Sequence, residues 1–128
     1  MIENLIKKNK VFVIAEIGNN HEGDFDVAKK LIEEAAGCGV DAVKFQTIKP
    51  QHLVNSTEVD RLKKLESFKL SYDQFYKLSE ISKDNDLIFF STPFDIESAK
   101  ELNKFQDVFK IASGDNTFFP LISEISKF

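Results

Sequence analysis

Ala42-Val-Lys-Phe-Gln-Thr-Ile48 is a short apolar run interrupted by a lysine and a glutamine two positions apart. Side chains alternate along a strand, so Lys44 and Gln46 point to one face. Three other runs have the same character: Val11-Phe-Val-Ile-Ala-Glu-Ile17, Leu87-Ile-Phe-Phe-Ser91 and Val108-Phe-Lys-Ile-Ala-Ser113. Short, partly β-branched apolar runs fit strands buried on both faces, as in parallel sheets.

Turn chemistry and a helical stripe follow each run. After Asn19-Asn-His-Glu-Gly-Asp24, the residues Val27, Ala28, Leu31, Ile32 and Ala35 share a helix face, and Gly37 and Gly39 suit its stop. Lys49 to Leu70 is polar and is expected as an exposed excursion with some helix. Ser71-Tyr-Asp-Gln74 has capping-box spacing ahead of Phe75, Leu78 and Ile81. Asp95 is the expected N-cap of a helix carrying Ile96, Ala99, Leu102 and Phe105, and Pro120 suits the start of a last helix. The order is βαβαβαβα, and right-handed crossovers make the strands parallel. It fits a flavodoxin-like doubly wound sheet or the first four β/α units of a TIM-type (β/α)₈ barrel, a half-barrel. Length favours the former, since a whole barrel needs about 250 residues. The polar residues inside the strands favour the latter, with strand order 1-2-3-4 and helices on one face.

The 128 residues, 42% hydrophobic and 30% charged, are those of one ordinary globular domain. A formal charge of −4 with no basic patch disfavours nucleic acid as a partner. The start Met1-Ile2-Glu3-Asn4 lacks a long apolar leader region, and no apolar run approaches the ~18 residues of a membrane span. A cytoplasmic protein with no membrane partner is the expectation. Cys38 is the single cysteine, so no internal disulfide forms, and it reads as a structural thiol.

Glu16, Lys44, Gln46 and Lys110 sit within otherwise apolar runs, and buried charge needs a partner, water or a ligand. A plain salt bridge from Glu16 to Lys44 or Lys110 would satisfy one pair. Four such residues on three strands shift the balance toward a site. Two lysines with the turns Ser91-Thr92 and Ser113-Gly114 suit a phosphate or carboxylate. His21 and His52 have no metal-ligand spacing; His21 is the better functional candidate, because its loop would line a barrel mouth.

Ala15-Glu-Ile-Gly-Asn-Asn-His-Glu-Gly23, Asp41-Ala-Val-Lys-Phe-Gln-Thr47, Phe90-Ser-Thr-Pro-Phe94 and Phe109-Lys-Ile-Ala-Ser-Gly-Asp115 resemble, in order and spacing, the N-acetylneuraminate (sialic acid) synthase family. The resemblance implies a (β/α)₈ barrel followed by an antifreeze-like domain, of which residues 1–128 correspond to the first half of the barrel. It implies condensation of phosphoenolpyruvate with an N-acetylated hexosamine, such as N-acetylmannosamine, to a nine-carbon 2-keto sugar acid, with release of phosphate. By the same resemblance, Lys44, Thr92, Lys110 and Ser113 look like phosphoenolpyruvate-binding residues. Glu16 and Gln46 look like contacts to the acceptor sugar, and Asp115 lies near the reacting carbons, so Glu16 and Asp115 are the catalytic candidates. The divalent metal, Mn or Mg, is expected to be held by the absent half, leaving this chain without synthase activity. A half-barrel with open edges at Val11–Ile17 and Val108–Ser113, and with Phe12, Ile14 and Phe90 on an uncovered face, is expected to form a homodimer or higher oligomer.

Overall fold

The computed structural model describes residues 11–128. The amino-terminal stretch from Met1 to Asn4, read above for a leader, lies outside the described residues. Three parallel strands, β1 (Ile14–Gly18), β2 (Ala42–Thr47) and β3 (Ile88–Pro93), lie side by side in the order β1-β2-β3. Helix α1 (Phe25–Gly37) joins β1 to β2. The polar excursion after β2 contains α2 (Pro50–Leu53) and α3 (Val59–Ser67), and α4 (Tyr72–Asp84) leads into β3. Helix α5 (Ile96–Leu102), a 3₁₀ turn (Ser113–Asp115) and α6 (Phe119–Ile125) complete the chain.

The helix starts follow from local chemistry. Ser71 accepts from the Gln74 N–H while the Gln74 side chain accepts from the Ser71 N–H, so both ends of the capping box are made. Asp24 caps α1, and Asp95 caps α5 by accepting from the Ser98 N–H at 2.8 Å. Cys38, expected as a structural thiol, is instead exposed: its backbone N–H bonds the last carbonyls of α1, and its thiol is no part of the core.

One face of the sheet makes the core. Val43, Phe45 and Phe89 meet Ala28 and Ile32 of α1, and Phe75 and Leu78 of α4. Phe45 is its hub, edge-on to Phe75 with centroids 6.2 Å apart and tilted against Phe89 at 5.5 Å. Each such ring, fully buried, contributes about 1.5–3 kcal/mol. The register Glu16↔Lys44↔Phe90 and Gln46↔Thr92 puts the polar residues of the strands together on the opposite face.

Val108–Ser113 does not form the expected fourth strand. The Ser91 N–H and C=O, which face the free edge of β3, are both taken by the Gln106 carboxamide, at 2.8 and 3.1 Å. The same amide holds the Val108 carbonyl at 3.0 Å. Residues 108–111 instead border a cavity of about 510 Å³ against Ile14, Glu16, Lys44 and Phe90. Among the described residues the sheet edges are therefore β1 and β3, and Gln106 guards the second. Phe90, expected on an uncovered face, is buried, whereas Ile14 is 43% exposed and Phe12 is half-buried.

Gly23 fixes the first loop against the end of α3. Its φ is +84°, and a Cβ there would overlap the Ser67 carbonyl oxygen, a backbone atom that cannot rotate away. We predict that Gly23→Ala lowers stability by roughly 1–3 kcal/mol, read as a shift of the urea midpoint at constant slope. An unchanged midpoint would show that the loop and α3 do not pack as described.

Candidate functional site

Lys44 lies at the centre of β2 and is only 5% exposed. A buried ammonium must find acceptors. It has two here: the Glu16 carboxylate at 2.7 Å and, more weakly, the Thr92 hydroxyl at 3.4 Å. Strand register supplies both, since Glu16 is directly opposite Lys44 and Thr92 is two pairs further along β3, on the same face. Three N–H donors meet two acceptors, so one donor direction is left for a ligand. The Glu16 carboxylate is 58% exposed, so the pair opens toward solvent on its acidic side.

A β-bulge between Glu16 and Gly18 shapes the rim of the site. Gly18 has φ +57°, and beyond it Asn20 N–H bonds the Ile17 carbonyl while Glu22 N–H bonds that of Asn19, both at 3.0 Å. From this tight turn the Asn19 side chain reaches across to Gln46, with Nδ2 donating to Oε1 at 2.8 Å. Nothing in the spacing of the sequence pointed to Asn19, which reads there only as turn chemistry.

Glu16, Lys44 and Thr92 thus form one bonded group, and Gln46 stands beside them on the same face. Lys110 borders the same cavity, but it is exposed and its ammonium donates to the Ile111 carbonyl at 3.1 Å. Ser113 and Asp115 occupy the 3₁₀ turn and do not border that cavity. Ser113 is exposed, while Asp115 Oδ2 is buried without a hydrogen-bond partner among the described residues.

His21 does not face a mouth. Its ring is 1% exposed and tilts against Phe45, with centroids 5.9 Å apart, so it belongs to the core side of the sheet. Nδ1 accepts from the Gly23 N–H at 3.0 Å, which leaves the ring proton on Nε2. His52 is exposed, with Nδ1 4.0 Å from the Asp95 carboxylate. Above the strand ends, Lys49 pairs with Glu97, and the hydrogen bond to that carboxylate raises the lysine pKa above its ordinary value. These contacts tie the excursion after β2 to the start of α5. Among the described residues, no three His, Cys, Asp or Glu side chains converge on a metal position.

Burial lowers the His21 pKa below the ordinary imidazole value, and nearby Asp24 offsets part of that effect. The unfolded chain therefore binds a proton more readily than the folded one. The stability from this residue is fully present above about pH 6.5 and is lost as pH falls below it. We predict that the wild-type chain loses stability between about pH 7 and pH 5, and that His21→Phe flattens this slope in urea titrations. Identical slopes in the two proteins would contradict the assignment.

Residues 31–128 match the NeuB family. The chain is 36% identical over 92% of its length to the N,N'-diacetyllegionaminic acid synthase of Campylobacter jejuni, of which it covers 40%. It is 32% identical over 94% of its length to mouse N-acetylneuraminate-9-phosphate synthase, covering 37% of that protein. In structure it is similar to an N-acetylneuraminic acid (sialic acid) synthetase from Leptospira borgpetersenii, determined in complex with citrate. That TM-score is 0.89 at 31% identity, over 93% of this chain and 42% of the other. The chain thus spans about two fifths of the relatives it matches.

Proposed function

The chain belongs to the NeuB family, and from that membership we propose that it carries the phosphoenolpyruvate-binding side of an acid-sugar synthase. Its relatives are sialic, legionaminic and pseudaminic acid synthases. The proposed reaction joins phosphoenolpyruvate to an N-acetylated hexosamine such as N-acetylmannosamine. C3 of phosphoenolpyruvate attacks the open-chain sugar aldehyde, water adds at C2, and the C–O bond to phosphate breaks. The products are a nine-carbon 2-keto sugar acid and phosphate.

The observation that carries this reading is the buried Lys44 ammonium, held by Glu16 and Thr92 beside a cavity. A preset cation in a partly dry site attracts phosphate or carboxylate more strongly than one in water. Lys44 and Thr92 receive that anion in this reading and Lys110 borders the same cavity, while the role of Ser113, which does not border it, rests on the family resemblance alone. Glu16 and Gln46 meet the acceptor sugar in this reading, and the role of Asp115 near the reacting carbons rests on the family resemblance alone. The divalent Mn or Mg that the family resemblance implies finds no fitting donor set among the described residues, and no step assigned to these side chains runs through it. In this reading the 128 residues bind phosphoenolpyruvate, and turnover belongs to the family's whole barrel.

Lys44→Ala tests this directly. Losing a charge-assisted contact costs about 1.5–3 kcal/mol, or roughly ten- to a hundredfold in affinity. Titration of the chain with phosphoenolpyruvate, followed by NMR, is expected to move resonances around Lys44 and Thr92 in the wild type and to weaken by that factor in the variant. Equal affinity in the two proteins would reject the assignment.

A second reading is a non-catalytic, anion-binding half-barrel that self-associates. It is favoured by Val11, Val13 and Ile14 at the β1 edge, which are 87%, 47% and 43% exposed. Open strand edges with apolar side chains are templates for association, and a symmetric homodimer or higher homo-oligomer would cover them. Sedimentation at micromolar concentration is expected to show a dimer or larger species. A compact monomer would count against association, and turnover of phosphoenolpyruvate with N-acetylmannosamine by this chain alone would overturn the non-catalytic reading.

A further inference from the structure

We infer that Asn19 is a positioning residue that locks the Gln46 carboxamide with its NH₂ turned to the ligand, making this wall of the site selective for an oxygen acceptor. The inference deepens the acid-sugar reading and rests on it. A glutamine amide can present either a donor or an acceptor at nearly constant shape, so some neighbour must choose between them. Asn19 Nδ2 donates to Gln46 Oε1 at 2.8 Å, which commits that oxygen. Gln46 Nε2 makes no hydrogen bond to any described residue, and Gln46 itself is half-buried on the Lys44 face.

The neighbours of Gln46 point the same way. Lys44 is a donor only, and the Thr92 hydroxyl accepts from it, which leaves the Thr92 proton to be donated outward. The Gln46 NH₂ therefore stands as a donor beside the ammonium and hydroxyl that face the anion, while the Glu16 carboxylate supplies an acceptor on the β1 side. Such an amide donor fits a ligand presenting hydroxyl or carbonyl oxygens, as the acetamido carbonyl and hydroxyls of an N-acetylated hexosamine do. It disfavours a ligand that offers an N–H at that point. The bulge at Gly18 and the turn bonds after it fix the Asn19 backbone, which aims its carboxamide at Gln46.

The experiment has one arm without ligand and one with it, both on the 128-residue chain labelled with ¹⁵N. In the wild type the Asn19 side-chain amide protons are expected to be downfield and slow to exchange, and to lose both properties in Gln46→Ala. Finding the Gln46 amide protons protected instead, and those of Asn19 free, would overturn the inference. Asn19→Asp replaces the donor by a carboxylate that only accepts, which turns the Gln46 NH₂ toward residue 19 and its oxygen to the ligand. The variant is expected to bind N-acetylmannosamine about tenfold more weakly, the size of one lost hydrogen bond. Unchanged sugar affinity with the fold intact would contradict the inference. Phosphoenolpyruvate binding by the wild type tests the underlying reading separately. Its absence would defeat the proposed function, while the amide resonances would still decide what Asn19 does.

Discussion

A lysine ammonium buried in a β-sheet is the constraint on which the rest of this site depends. Removing such a charge from water costs several kcal/mol, so the fold has to supply acceptors or the strand cannot keep the residue there. The supply comes from both neighbouring strands at once. Glu16 meets Lys44 from β1 and Thr92 meets it from β3, because parallel pairing in this register aligns them. A shift of one residue in either strand would send these side chains to the other face. The ion pair does not by itself argue for high stability, since one partner is well exposed and screened by solvent. Its consequence is chemical: a positive charge is held in place, with a donor to spare, beside a cavity.

The two faces of β2 divide the work of folding and of binding. Val43 and Phe45 anchor the helices through the Phe45, Phe75 and Phe89 cluster, while Lys44 and Gln46 point the other way. Well-packed aromatic contacts hold the strand rigid, so the polar side keeps its geometry before a ligand arrives. The loop after β1 serves both sides. Its bulge delivers Asn19 to Gln46, its histidine folds back onto Phe45, and Gly23 seats it against α3. A change in that loop is transmitted to the core and to the site together.

The parts of this architecture that depend on local pattern were legible in the sequence. Three of the four apolar runs pair in the expected order, and the caps at Ser71 and Asp95 form as their spacing requires. The run Val108–Ser113 looks like a strand for the same local reasons, yet pairing depends on what occupies the partner's edge. Gln106 occupies it, through a contact that joins residues 15 positions apart. His21 was legible as a residue of the first loop, but the direction of its ring is set by packing against Phe45. The pairing of Glu16 with Lys44 was one of two that unpaired charges in apolar runs allowed, the other being with Lys110, and Thr92 entered only through its turn and the family resemblance. The Asn19 contact could not be anticipated, since it arises from a bulge that carries no sequence signature beyond a glycine.

The central claim is that Lys44 is an anion receptor and not merely one end of a structural salt bridge. A crystal structure of the chain grown with phosphoenolpyruvate tests it most directly. The account predicts a phosphate or carboxylate oxygen within hydrogen-bond distance of both Lys44 Nζ and Thr92 Oγ1, bound by the ammonium donor that Glu16 and Thr92 leave free. Phosphoenolpyruvate bound elsewhere, with no ligand oxygen at the Lys44 ammonium, would contradict it.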